Sequence, residues 1–126
     1  MTNEITKELF NKLENIAKSK VHRDLKGTWS QGSTTYLNGM YDELNEVKEE
    51  IISDRQCFLE DELGDVLWDY LCMLQHMQLE GKISTEKVFE RAVKKYSERV
   101  TKRKINDTWD DIKQRQKKEL LDEYNR

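Results

Sequence analysis

The feature that most constrains this fold is Cys57–Leu79, the most apolar run in the chain. It nevertheless carries five acidic side chains, all toward its N-terminal end: Glu60, Asp61, Glu62, Asp65 and Asp69. No Lys or Arg occurs between Gln56 and Gly81 to neutralise them. Because a buried charge costs several kcal/mol unless an opposite charge meets it, a helix formed by this run requires a cation from outside itself.

Composition and hydrophobic spacing predict an all-α fold. The 126 residues include no Pro and only five Gly, which favours long helices over a turn-rich β fold. Apolar residues at three- and four-residue spacings predict five helices, over residues 3–19, 36–53, 57–80, 85–104 and from 108 onward. Gly and Ser/Thr clusters predict a loop over 21–35. We therefore expect one domain over residues 1–126, built as a bundle of about five helices.

The third predicted helix also bears on assembly and compartment. It is apolar nearly all round from Val66 to Leu79, so we expect the bundle to self-associate as a homodimer or homotetramer.

Cys57 and Cys72 would lie about 22 Å apart along this helix, too far for a disulfide, which favours a reducing cytoplasm. No run reaches the roughly 18 apolar residues of a membrane span, and the N-terminus has no signal-peptide pattern.

Charge is divided unevenly along the chain. Residues 1–81 contain 8 basic and 16 acidic side chains, whereas residues 82–126 contain 14 basic and 9 acidic ones. A basic helical tail can bind nucleic acid, but here acids are interleaved with the basic residues and the whole chain carries a net charge of −3. Over nucleic acid as a partner we therefore favour the alternative that a basic half faces an acidic half, with a phosphate and a cation between them.

Two pairs of acids have the spacing of a metal site. Glu43 and Glu46 on the second predicted helix, and Glu62 and Asp65 on the third, are each three residues apart, so each pair projects from neighbouring turns. If these helices are antiparallel neighbours, four carboxylates meet, and an all-oxygen set selects Mg²⁺ or Mn²⁺. Gly64 within the second pair predicts close approach of a backbone or a ligand. The alternative for any one such pair is a solvated helix surface.

Four segments, in this order, resemble the MazG-type nucleoside triphosphate pyrophosphohydrolases, which share an ExxE, a spacer and an ExxD. The metal motif here is Glu43-Leu-Asn-Glu46, fifteen intervening residues, and Glu62-Leu-Gly-Asp65. The similar segments are GTWSQGSTTYLNGMYDELNEVKEEI, EDELGDVLWDYL, KKYSERV at 94–100 and TWDDIKQRQ at 108–116. The chain departs from the family where the His-Pro-His segment before the last helix is replaced by VTKRKINDT, and where no Cys-Pro precedes Trp29.

The resemblance implies a site and an activity. Its implied metal ligands and catalytic residues are Glu43, Glu46, Glu62 and Asp65, which would hold Mg²⁺, with Mn²⁺ as a possible substitute. Its implied phosphate-binding residues are Lys95, Arg99 and Lys113, with Trp109 near the nucleotide or supporting Lys113. Taken from the residues alone, Lys95 and Arg99 could be a solvated basic face, and Trp109 a core residue. Trp29, within the predicted loop, is either an aromatic plug over the core or a wall of the substrate pocket.

The implied reaction is hydrolysis of a nucleoside triphosphate between the α- and β-phosphates, which yields a monophosphate and pyrophosphate. Besides nucleic-acid binding through residues 82–126, two alternatives remain open from the sequence. One is a specialised relative that acts on phosphoribosyl-ATP or on dUTP. The other belongs to a different class, a non-enzymatic helical interaction module whose acids form only a surface.

Overall fold

The computed structural model describes residues 2–126, apart from the Thr2 side chain, and it confirms the all-α fold. The five helices are α1 (Thr2–Asp24), α2 (Ser33–Ser53), α3 (Gln56–Leu79), α4 (Thr85–Tyr96) and α5 (Trp109–Tyr124). Helix α1 continues five residues beyond its predicted end at residue 19. The fourth helix ends earlier than predicted, because a π-helical segment, Ser97–Thr101, follows α4. No strand occurs among the described residues.

The described chain divides into two compact units, one ending at Ser84 and the other comprising Thr85–Arg126. The first unit contains α1, α2 and α3, and the second contains α4, the π-helical segment and α5. The expectation of one domain over residues 1–126 stays a prediction. No helix in residues 2–126 combines the length and the apolar character that crossing a membrane requires.

The core of the first unit lies along the C-terminal half of α3. Its buried members are Ala17, Val21, Tyr36, Leu71, Cys72 and Met73, from all three helices. The run Leu71–His76 is buried within the chain itself, so a second copy is not needed to cover it. Leu67, Tyr70 and Leu79 of the same predicted apolar segment remain exposed, and self-association as a homodimer or homotetramer stays a prediction.

The start of α2 is fastened to the end of α3 by one carboxylate. Glu80 accepts hydrogen bonds from the Ser33 backbone N–H at 3.0 Å and from the Ser33 hydroxyl at 2.8 Å. Gly32 permits this approach because a Cβ at its position would lie 2.8 Å from Glu80 Oε2, and because its φ of 106° is one that L side chains rarely adopt. The two helices are consequently antiparallel neighbours with a defined register.

A second buried carboxylate, that of Asp24 at the end of α1, joins all three helices. It accepts hydrogen bonds from Thr28 Oγ1 at 2.5 Å, Tyr36 Oη at 2.7 Å and His76 Nε2 at 2.9 Å, and it also pairs with Lys20. Burial alone would raise the pKa of Asp24, but these four partners hold it well below its usual range. The ionised form is therefore the one that the fold stabilises.

We expect Asp24→Asn to lower the free energy of unfolding by about 2 kcal/mol at neutral pH, because an amide cannot accept from four donors. Since the folded-state pKa of Asp24 is depressed, its contribution is complete above the unfolded pKa and is lost as the pH falls. The difference between variant and wild type should therefore shrink below about pH 4. Urea denaturation at neutral and acidic pH measures both effects.

The matched control is Glu8→Gln, which neutralises an exposed acid on the same helix. It should change stability little at either pH. An Asp24→Asn protein that is as stable as the Glu8→Gln protein at neutral pH would contradict the role given to this carboxylate.

Candidate metal centre

One stripe of α3 faces α2, and its chemistry changes along its length. The stripe consists of Glu62, Asp65, Asp69, Cys72 and His76, at spacings that place them on one side of the helix. At its C-terminal end the His76 ring stacks on Tyr36, with centroids 5.4 Å apart. At its N-terminal end the acids of the stripe meet acids of α2. The side chains that meet between α2 and α3 are thus an aromatic ring and an imidazole at one end and a group of acids at the other.

The structure brings together the four acids that the sequence singles out. Glu43 and Glu46 of α2 and Glu62 and Asp65 of α3 each offer one carboxylate oxygen, and these oxygens all lie within 4.8 Å of one another. The i, i+3 spacing on each helix places each pair on adjacent turns, and the antiparallel packing makes the two pairs meet. No Lys or Arg forms an ion pair with any of the four within residues 2–126.

The protonation behaviour of the cluster follows from this crowding. Burial, together with the adjacent Glu46 and Asp65 carboxylates, raises the pKa of Glu43 to about 7. The neighbouring Glu46 carboxyl, with burial, raises the pKa of Glu62, and burial followed by the Asp61 and Glu46 charges raises that of Asp65. Like charges disfavour ionisation of one another, so without a cation the cluster retains protons at a pH where isolated carboxyls have lost them.

A divalent cation fits this set of donors. The Oε2 atoms of Glu43 and Glu62 are buried and have no hydrogen-bond partner in the described chain. A buried polar atom without a partner is rare in native proteins and calls for an explanation, for which an ion is one candidate. Oxygen-only ligation suits Mg²⁺ or Mn²⁺ rather than a metal that prefers sulfur or nitrogen. The four acids could therefore hold a divalent ion.

The prediction that another backbone approaches Gly64 closely is wrong. No described atom outside its own helix lies within 4 Å of a Cβ built at Gly64, which faces open space. The close approach is instead at Gly39 of α2, where such a Cβ would lie 3.1 Å from Asp69 Oδ2. Burial and the nearby Asp65 raise the pKa of Asp69. Asp69, to which sequence reasoning gave no role, thus packs against α2 beside the metal candidates.

The predicted substrate-binding residues lie in both units. In the second unit the Arg99 guanidinium carbon is 5.4 Å from the centroid of the Trp109 ring, so these two residues lie together, while Lys95 and Lys113 are exposed. In the first unit the Trp29 ring lies 5.7 Å from that of Tyr36, with Lys20 over its face. Trp29 covers a core residue and remains 68% exposed, so it is accessible to a ligand.

The model of the MazG nucleotide pyrophosphohydrolase domain matches residues 31–104, more than half of the chain. The chain belongs to the MazG family. The matched segment of the MazG domain contains all four clustered acids, Lys95 and Arg99, whereas Trp29, Trp109 and Lys113 lie outside it. No curated protein and no solved structure matched the chain significantly. Membership confirms the resemblance drawn from the motifs and indicates nucleotide pyrophosphohydrolase as the class of activity.

The raised pKa values predict how stability depends on pH when no metal is bound. Between the ordinary Glu pKa of 4.5 and the value of about 7 for Glu43, the folded state binds more protons than the unfolded state. The free energy of unfolding contributed by the cluster should therefore fall as the pH rises through this range. Thermal unfolding from about pH 5 to about pH 8 in a chelator should show this decline, and added Mg²⁺ should reverse it at the alkaline end.

The Glu43→Gln variant should show a shallower pH dependence and a smaller stabilisation by Mg²⁺ than wild type. Glu49→Gln removes an exposed acid of the same helix and serves as the control, with wild-type behaviour expected. If Mg²⁺ leaves the melting temperature of the wild-type protein unchanged at each pH, the cluster does not bind it.

Proposed function

We propose that this MazG protein is a Mg²⁺-dependent nucleoside triphosphate pyrophosphohydrolase that cleaves between the α- and β-phosphates. The observation that carries the proposal is the cluster of four carboxylates with two unpartnered buried oxygens and no paired Lys or Arg in residues 2–126. Such a cluster needs a cation, and carboxylate-bound Mg²⁺ commonly partners the phosphates of a substrate. A nucleoside triphosphate is the ligand class that the family suggests.

In this mechanism Glu43, Glu46, Glu62 and Asp65 hold the ion. When bound, Mg²⁺ supplies positive charge that stabilises the phosphoryl oxygens and the leaving pyrophosphate. One of the four carboxylates accepts a proton from the attacking water, whose oxygen forms a bond to the α-phosphorus. The bond from that phosphorus to the α–β bridging oxygen breaks, and the oxygen leaves with pyrophosphate. The products are a nucleoside monophosphate and pyrophosphate.

The remaining candidate residues suit the anionic and aromatic parts of the substrate. Lys95, Arg99 and Lys113 supply positive charge for the phosphates, and Trp109 and Trp29 supply aromatic surfaces against which the nucleotide can pack. Support comes from the charge asymmetry of the sequence, since a magnesium–triphosphate complex interacts favourably with both acidic and basic groups.

The choice of substrate is open to direct measurement. Pyrophosphate release in the presence of Mg²⁺ should be assayed across standard and damaged triphosphates, with dUTP and phosphoribosyl-ATP included as the substrates of specialised relatives. If none of these compounds releases pyrophosphate or stabilises the protein together with Mg²⁺, the non-enzymatic interaction module becomes the better account of the chain.

We expect Glu62→Gln and Asp65→Asn to reduce turnover by at least about a hundredfold, because each removes a ligand charge from the metal site. Neither change should disrupt the helical fold, since both substitutions reduce repulsion within the cluster. Steady-state kinetics and circular dichroism measure the two effects separately. Glu49→Gln is again the control, and near-normal turnover in either cluster variant would refute the assignment.

Lys95→Ala should act mainly on substrate binding. We expect KM to rise about tenfold with little change in kcat, because an exposed lysine that meets a phosphate in both the ground state and the transition state contributes uniform binding. Lys118→Ala removes an exposed lysine elsewhere in the second unit and should leave KM unchanged. An unaltered KM in the Lys95 variant would remove this residue from the phosphate site.

A further inference from the structure

In the second unit the side chain of Arg99 is held in place by partners that do not neutralise its charge. Arg99 lies in the π-helical segment, half-buried, with its guanidinium carbon 5.5 Å from the Tyr96 ring centroid and 5.4 Å from that of Trp109. Both distances fall within the range of cation–π interactions. Its Nε donates to Gln116 Oε1 at 2.8 Å, and no carboxylate in residues 2–126 forms an ion pair with it.

Gln116 of α5 holds this arrangement through three hydrogen bonds. Besides accepting from Arg99 Nε, it donates through Nε2 to the Lys95 backbone carbonyl at 3.0 Å and to Glu98 Oε1 at 2.9 Å. A π-helical turn changes the backbone hydrogen-bond pattern at its junction with an α-helix, and Gln116 bonds to a carbonyl at that junction. One amide side chain thereby fixes both the Arg99 side chain and the backbone just before the π-helical segment.

Two other cations of the second unit, on the face where α4 meets α5, are neutralised by acids. Arg91 forms two hydrogen bonds with the Glu123 carboxylate, and Lys94 pairs with Glu98 and with Glu119. The helix–helix face that these residues form offers an anionic ligand little net charge. Arg99 differs because its fixed partner is a neutral amide, which leaves its full positive charge and its two terminal nitrogens for another ligand.

A groove of about 420 Å³ opens beside Arg99, and its volume suits a small ligand. Its lining residues are Arg99, Val100, Arg103, Lys104, Ile105 and Trp109, of which three are cationic and none is acidic. Arg103 is also held, because its Nε donates to the Asp107 carbonyl at 3.1 Å. A basic groove with one aromatic wall favours a phosphate group attached to, or released from, a nucleotide.

We infer that Gln116 is a positioning residue that holds the Arg99 guanidinium at this groove, where Arg99 binds a phosphate group of the substrate. The inference rests on the proposed function, because it extends the phosphate-binding role proposed there for Arg99. It adds Gln116, Arg103 and Lys104 to the residues that determine binding. A fixed arginine fork loses less conformational entropy when it binds a phosphate than a mobile one does.

The test measures pyrophosphate binding to the full chain by calorimetry in metal-free buffer, which does not depend on turnover. Wild type should bind pyrophosphate, and Gln116→Ala should weaken the affinity about five- to tenfold, because Arg99 loses its fixed orientation. Gln114→Ala removes an exposed glutamine from the same helix and should match wild type. Arg99→Lys keeps the charge, lacks the Nε donor, and should weaken binding about as much as Gln116→Ala.

A double variant separates positioning from general support of the helix. If Gln116 acts through Arg99, adding Gln116→Ala to Arg99→Ala should cause no further loss of pyrophosphate affinity. Equal losses in the presence and absence of the arginine would overturn the inference, as would wild-type affinity in Gln116→Ala or in Arg99→Lys, or absence of pyrophosphate binding to wild type. A chain that binds pyrophosphate as expected but hydrolyses no triphosphate would defeat the proposed function alone.

Discussion

The first unit has to accommodate the electrostatic repulsion among four carboxylates, and this is the main physical constraint on its packing. Glu43, Glu46, Glu62 and Asp65 are brought together by the antiparallel packing of α2 against α3, and no Lys or Arg in residues 2–126 pairs with them. Helix packing that forces like charges together costs free energy. The core and the polar contacts at the other end of the same helices must offset that cost whenever no cation is bound.

Asp24 shows how many partners a buried carboxylate has when the fold itself satisfies it. It lies in the same unit and is more deeply buried than the clustered acids, yet it accepts from four donors drawn from the end of α1, the following loop, α2 and α3. Glu43 and Glu62 each have a buried oxygen with no partner in the described chain. One fold thus contains a fully satisfied acidic centre and one with partnerless buried oxygens, for which a bound cation is one explanation.

In the second unit the basic side chains of Arg91, Lys94 and Arg99 differ in whether an acid pairs with them. Arg91 and Lys94 are neutralised by acids of α5, so they contribute to the joining of two helices. Arg99 is oriented by the neutral Gln116 and by two aromatic rings, which leaves its charge for a ligand. The four clustered acids belong to the first unit and the basic groove to the second.

The sequence by itself determined the helices and the candidate metal ligands, because both depend on local periodicity. The i, i+3 spacing of Glu43 with Glu46, and of Glu62 with Asp65, assigns each pair to one helix face, and the absence of Lys and Arg from 57–80 shows that a cation must come from elsewhere. Only the tertiary structure decided what depends on the register between distant segments. His76 and Asp24 are 52 residues apart, and the closeness of Asp69 to Gly39, rather than a contact at Gly64, follows from how α2 and α3 align. The π-helical turn and its contact with Gln116 could not be predicted from the sequence either. A glutamine on a polar helix has no distinguishing sequence pattern, and its role depends on which residues the fold places beside it.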